Sequence, residues 1–357
     1  MDPNSLIPTP DPIPAPAWLM IVLEQLLFLL HILVINALFG CALIIFYRWM
    51  KKENSSIFIE SNKPIAQKIP IMFALGINLG VAPLLFLQVT FGHLFYSSSV
   101  LMATYWILVI PFLIIAYYGA YVHYKKMDKS EGLAKFSLTL LIIMILYIAF
   151  MLVNNNSLME QPEKWIEYFN NRNGTILNLV DASLYPRFFK FFFASLAVGG
   201  LFFALVNHYK KNVENRDEKI KQSLKIFAYA TAVQMIVGFW YLFSLPEGIM
   251  MKLIGRDILS SIILFFGIAA AIGALVFAFQ GKLMVTLYHL IVTMIAMITT
   301  RYLLRMMYLD DNFSLSSLKL EPQWDIFALF VVILLIGLYF VWYMIKIGFS
   351  GTTGRAE

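Results

Sequence analysis

The side chains able to bind a metal or move a proton are few, and most fall inside apolar runs. The chain has 357 residues and five histidines. His31 lies roughly 13 residues into the first apolar stretch, about 20 Å deep at 1.5 Å per residue. An ionisable group at that depth is costly and is read by default as functional. A neutral imidazole is also a common ligand of haem iron. The competing reading is a hydrogen bond to a neighbouring helix, and the residues alone leave both open. His93 stands at the outer end of the second stretch, as an interfacial residue or a ligand. His289, in the eighth, reads as an interhelical hydrogen bond. His123 and His208 each precede Tyr-Lys-Lys and read as solvated boundary residues. No HxxxH or HxxE spacing makes a metal box on one helix face.

A second group is basic. Arg187, Lys190, Arg301 and Arg305 stand at helix ends on the side where positive residues are not expected. They either snorkel to lipid headgroups or grip a buried anion such as a haem propionate, for which the planar guanidinium is well shaped. Glu24, seven residues before His31, shares its helix face and sits shallow enough to reach the interface. Asn36, Asn78, Gln88 and Gln234 are intramembrane polar side chains of the kind that hold helices together. Cys41 is the single cysteine, so no internal disulfide and no covalent c-type haem motif exist; the thiol reads as packing. Phosphate loops, hydrolase motifs and nucleic-acid motifs are absent.

The elements that must position these groups follow from composition. The chain is 60% hydrophobic and 13% charged, which no water-exposed fold can hide, so its solvent is the lipid bilayer. Nine apolar stretches are readable, at about 18–47, 67–91, 99–123, 134–153, 186–208, 224–244, 257–280, 283–307 and 325–348. Each can cross a hydrocarbon core of about 30 Å, and in lipid each must be a helix to satisfy its own backbone. The expected fold is an all-α polytopic membrane bundle. Placing the N-terminus outside puts 18 of the 27 basic residues on the cytoplasmic side, as the positive-inside trend requires; the C-terminus is then cytoplasmic. The same trend explains the net charge of +6 without any nucleic acid. Residues 1–17 form a Pro-rich outer arm that lacks the positive start of a secretory signal. Residues 18–348 make one transmembrane domain and 349–357 a cytoplasmic tail.

Several segments together resemble one family, subunit I of the cytochrome bd quinol oxidases. AFMLVNNNSLMEQPEKW, ending the fourth span, resembles the family's AxxxxxANSWMQxP through Asn156, Ser157, Met159 and Pro162; this is the specific match. LLHILVINALFG resembles the FHFLFVPLTIG pattern and places His31 on the histidine that holds a high-spin haem. FALGINLGVAPLLFLQVTFG resembles the FALGVATG…FQFG stretch, and YPRFFKFFFASLAVGGLF resembles the span carrying the low-spin haem histidine. The similarity extends over most of the chain.

The departures are as informative. Lys190 stands at the low-spin histidine's position, and no Met stands in DILSSIILFFGIAAAIGALVF to partner it. MATYWILVIPFLIIAYYGAY lacks both carboxylates of the family's proton path. The GRQPW motif is reduced to ITTRYLLRMMY, with Arg301 keeping the arginine. The long quinol-binding loop is cut to SLPEGIMMKLIGRD. The resemblance therefore implies a divergent oxidoreductase subunit in the inner membrane of a prokaryote. It would pass electrons between the quinone pool and an outer-side cytochrome or another membrane subunit. Haem b would be held by His31, with His93 or a Met as second ligand and the four basic residues on its propionates. Two alternatives stand beside this: a haem-free anchor or scaffold that kept the fold, and a quinol-dependent oxygen reductase with rebuilt ligands. A transporter is disfavoured, since paired broken helices and a midplane charge pair are missing.

Overall fold

The computed structural model describes residues 3–51, 55–210 and 215–350. Among these, nine helices are long and apolar enough to cross a membrane, and no strand forms beyond one isolated bridge. The helices are α1 (Ala17–Met50), α2 (Ser55–Ala66), α3 (Ile69–Leu101), α4 (Ala103–Ile107), α5 (Val109–Lys126), α6 (Glu131–Glu160), α7 (Leu184–Tyr209), α8 (Arg216–Phe243), α9 (Glu247–Met251), α10 (Ile258–Phe279), α11 (Leu283–Leu309) and α12 (Trp324–Ser350). The second span runs from α2 into α3 and the third from α4 into α5. With an odd number of spans the first and last helices begin on the same face, and the basic-residue distribution assigns that face to the outside. Of the tail expected at 349–357, residues 351–357 lie outside the described residues.

The main core sits in the inner half, where α1, α3, α5, α6, α7 and α8 meet around Phe39, Ile45, Phe73, Leu138 and Phe227. Apolar burial gives helices no drive to associate in lipid, so close packing through small residues matters more. At the α1–α7 crossing a Cβ on Gly40 would lie 1.8 Å from the Ser195 carbonyl oxygen, and one on Gly199 only 2.5 Å from the Gly40 carbonyl carbon. Only glycine fits there. Ser195 Oγ also donates to Asn36 Oδ1 at 2.9 Å across the same crossing, which is the helix-joining role expected of Asn36. Cys41 is buried in this core as a free thiol.

Spans run longer than their hydropathy where polar residues find partners. The fourth span reaches Glu160 because each residue of Asn154–Ser157 has a different contact. Asn154 Oδ1 accepts from Asn178 N at 3.1 Å. Asn155 donates to Ser99 Oγ at 3.0 Å and Asn156 to Glu160 Oε1 at 2.8 Å. Ser157 Oγ donates to Asp181 at 2.5 Å. The outer loop, including the 3-10 turn Pro162–Phe169, is thereby fastened to the end of α6.

Candidate functional site

Within the outer half of the bundle, helix after helix loses its buried positions. On α1 none of the eleven residues Gln25–Ile35 is buried, although Met20, Ile21 and Glu24 before them and Asn36–Ala42 after them are. A helix packed on one side buries a residue every three or four positions. Val22, Leu26 and Leu30 mark the lipid-facing stripe of α1, yet its other faces are part-exposed too, so the sides turned to neighbouring helices are loosely covered. The same interruption recurs at 84–89 on α3, 146–150 on α6, 187–194 on α7 and 299–303 on α11. These stretches all lie toward the outer side.

His31 lies on the α1 stretch. Its Nδ1 lies 2.8 Å from the Gly76 carbonyl oxygen, and its ring rests on Gly80, where a Cβ would come within 2.6 Å. Gly80 makes the seat for the ring, and Gly76, four residues earlier on α3, supplies the carbonyl. Because a carbonyl only accepts, Nδ1 carries the proton and Nε2 is left with its lone pair. That is the tautomer a metal-ligating histidine adopts when a backbone carbonyl orients it. Of the two sequence readings of His31, the interhelical hydrogen bond is present, and it leaves Nε2 of the neutral ring without a proton. The Phe28 ring lies 6.3 Å from the His31 ring and the Arg301 guanidinium stacks over its other neighbourhood, 4.4 Å from the Phe28 centroid. Phe28 thus contacts both the imidazole and the Arg301 guanidinium.

The four basic residues do come together at the outer ends of α7 and α11, but two of them are already neutralised. Arg305, 1% exposed, donates to Glu24 Oε1 at 2.9 Å. Arg187 donates to Glu160 Oε2 at 2.6 Å. The snorkelling reading is wrong for Arg305, and Glu24 is not at the interface, because α1 turns this face toward α11 rather than lipid. Arg301 donates to Asn156 Oδ1 at 3.2 Å and Lys190 stacks on Tyr241 at 4.6 Å. Among the described residues neither has a carboxylate within ion-pair distance. Inside the spans, two carboxylates therefore face four cations. Asp181 approaches from the outer loop, held by Ser157, Gln161 and Ser183. Burial by itself pushes the Asp181 carboxyl up, but the hydrogen bonds from Ser157 and Ser183 and the Arg187 charge outweigh it and hold it below the ordinary carboxylate value.

The remaining histidines are elsewhere. His93 stacks beside Phe313 at 4.9 Å, thirteen residues beyond Gly80 on α3. That is roughly 20 Å farther along the helix axis, so His31 and His93 do not meet as two ligands of one iron. His123 is not solvated as expected: it is fully buried, with Nδ1 3.0 Å from the Ala134 carbonyl oxygen and its ring edge-on to Trp49. The packing of α5 on α6 covers it. His289 bonds its own helix at Val285 O, 2.9 Å away, rather than a neighbour; its ring fills the notch at Gly273 on α10. No group of three or more His, Cys, Asp or Glu side chains able to hold a metal ion exists among the described residues. The partners Glu24, Glu160, Asn156 and Phe28 were not grouped with the cations by sequence reasoning. Their spacing along separate helices carries no sign that they meet.

The donor set fits one haem with a single protein ligand. His31 offers an oriented Nε2, and Arg301 and Lys190 offer two cations that form no ion pair among the described residues. It does not fit a two-ligand haem at the Lys190 position. Comparison with known proteins yields no matching family model and no matching curated protein. What the fold defines on its own is a multi-pass α-helical integral membrane protein.

Proposed function

We propose that this chain is the membrane subunit of a quinone-linked electron-transfer complex in a prokaryotic inner membrane, with one b-type haem held at His31. The observation that carries this reading is the His31 ring, oriented through Nδ1 by Gly76 O, on the same side of the bundle as a cluster with more cations than carboxylates. A haem bound there supplies one-electron transfer. The protein's part is to hold and tune it. His31 presents Nε2 to the iron. Arg301 and Lys190 balance the propionate charge. The Glu24–Arg305 and Glu160–Arg187 pairs fix the surrounding helices while adding no net charge.

A second reading, a haem-free scaffold, is favoured by those same two pairs, since Arg187 and Arg305 already have anionic partners of their own. A reduced-minus-oxidised spectrum of the purified protein separates the two. The electron-transfer reading expects a b-type band that is lost in His31→Ala and kept in His93→Ala. A colourless, folded wild-type protein leaves the scaffold.

A further inference from the structure

The segment SLPEGIMMKLIGRD folds compactly rather than as a loose loop. After α9 the chain makes one π-helical turn, Lys252–Arg256, closed by Asp257 N donating to Lys252 O at 2.9 Å. The turn overhangs the outer ends of α10 and α11 and encloses a groove of about 550 Å³, floored by Met306 and Met307 and rimmed by Lys252, Arg256, Asp257 and Asp310. Both carboxylates are engaged. Asp257 caps α10, accepting from Ser260 N at 3.1 Å, and Asp310 takes Lys252 at 2.8 Å. Arg256 is exposed and has no acidic partner among the described residues. The groove thus pairs an apolar floor with a free guanidinium, at the depth where the membrane-spanning parts of α10 and α11 end.

We propose that this groove binds an anionic phospholipid of the outer leaflet. The phosphate would sit on Arg256, with Lys252 in reach once it leaves its exposed and therefore weak pair with Asp310. The glycerol and first acyl carbons would lie on Met306 and Met307, whose unbranched thioethers adapt to irregular apolar surfaces. A guanidinium matches phosphate oxygens with two parallel hydrogen bonds, and it favours an anionic lipid over a zwitterionic one because the latter carries its own cation beside the phosphate. The inference does not depend on the haem reading.

Native mass spectrometry of the full chain tests it, with phosphatidylglycerol and phosphatidylcholine of matched acyl chains offered separately. Wild type should retain one phosphatidylglycerol in preference to phosphatidylcholine. Arg256→Gln should lower that retention by roughly fivefold, the worth of one exposed charge-assisted contact. Arg172→Gln, which removes an exposed cation from a different outer loop, should leave it unchanged. Equal retention of the two lipids overturns the proposal. So does an Arg172→Gln loss equal to that of Arg256→Gln, because the effect is then diffuse surface charge. Displacement of the lipid by inorganic phosphate alone, or by decylubiquinone, also overturns it, in favour of a free-anion or a quinone site.

Discussion

The Glu24–Arg305 pair is the most exposed to test of the single-residue arguments. Both groups are nearly sealed, at 4% and 1% side-chain exposure, and Arg305 also lies over the Phe91 ring at 5.1 Å. Removing one partner strands a buried charge, which costs about 3–5 kcal/mol, whereas replacing both with neutral side chains of similar size is close to neutral. Arg305→Met should therefore lower the thermal unfolding temperature in detergent sharply, and Glu24→Gln/Arg305→Met should recover most of the loss. A double variant as unstable as the single one removes the ion-pair account. Gly80 offers a second test. Gly80→Ala forces a methyl into the His31 ring, and overpacking of this kind costs about 1–3 kcal/mol; His31→Ala in the same chain should abolish that cost, as measured by a double-mutant cycle. At this scale the sequence was half legible. Arg187, Lys190, Arg301 and Arg305 stood out because cations on the outer side run against the charge trend. Their partners did not, since whether Glu24 faces lipid, interface or Arg305 is set by the rotation of α1 against α11.

Among the elements, the outer loop after α6 depends on one carboxylate. Asp181 accepts from Ser157 Oγ, Gln161 and Ser183 and so ties residues 161–183 to the end of α6. Its folded pKa is lowered. A carboxylate of that kind stabilises the fold fully above its unfolded pKa, about 3.9, and the contribution is lost as pH falls through the folded value. Asp181→Asn should lower stability at neutral pH and flatten the acid limb of the stability–pH curve below about pH 4. Hydrogen exchange should localise the loosening to 161–183; a parallel curve for the variant, merely displaced, would mean that Asp181 does not titrate with unfolding. All nine spans were legible as apolar runs, because backbone in lipid leaves few options. Their ends were not. The fourth was expected at 134–153 and extends to Glu160, because Asn154, Asn155, Asn156 and Ser157 look like loop residues until their partners on α3, α11 and the loop are in view. The third was expected from 99 and starts at Ala103, because α3 carries Ser97, Ser98 and Ser99 inside its last turns, each donating to a carbonyl one turn back.

For the whole molecule, α12 is the element whose membership of the bundle rests on the least. No residue of Trp324–Met344 is buried. What ties it down precedes it: Ile13 N donates to Lys319 O at 2.8 Å, Glu321 N to Ile13 O at 3.0 Å and Gln323 N to Pro14 O at 3.0 Å. The Pro-rich outer arm is thus a strap between the start of α1 and the approach to α12. Hydropathy alone makes α12 equal to the other spans, since it registers transfer into lipid and is blind to whether a helix touches its neighbours. Physically the difference is large. A bundle helix holds its place through packing and polar contacts, and α12 buries no residue of Trp324–Met344. Ending the chain after Gln323 therefore removes no buried residue of Trp324–Met344 and keeps the strap. The shortened protein should unfold within the small range typical of substitutions that touch no core, about ±0.5 kcal/mol, while Gly40→Leu, at the α1–α7 crossing, should unfold it outright. A large loss of stability on removing α12, measured in the same detergent, would show that this helix packs against the bundle and that the strap is not what holds it.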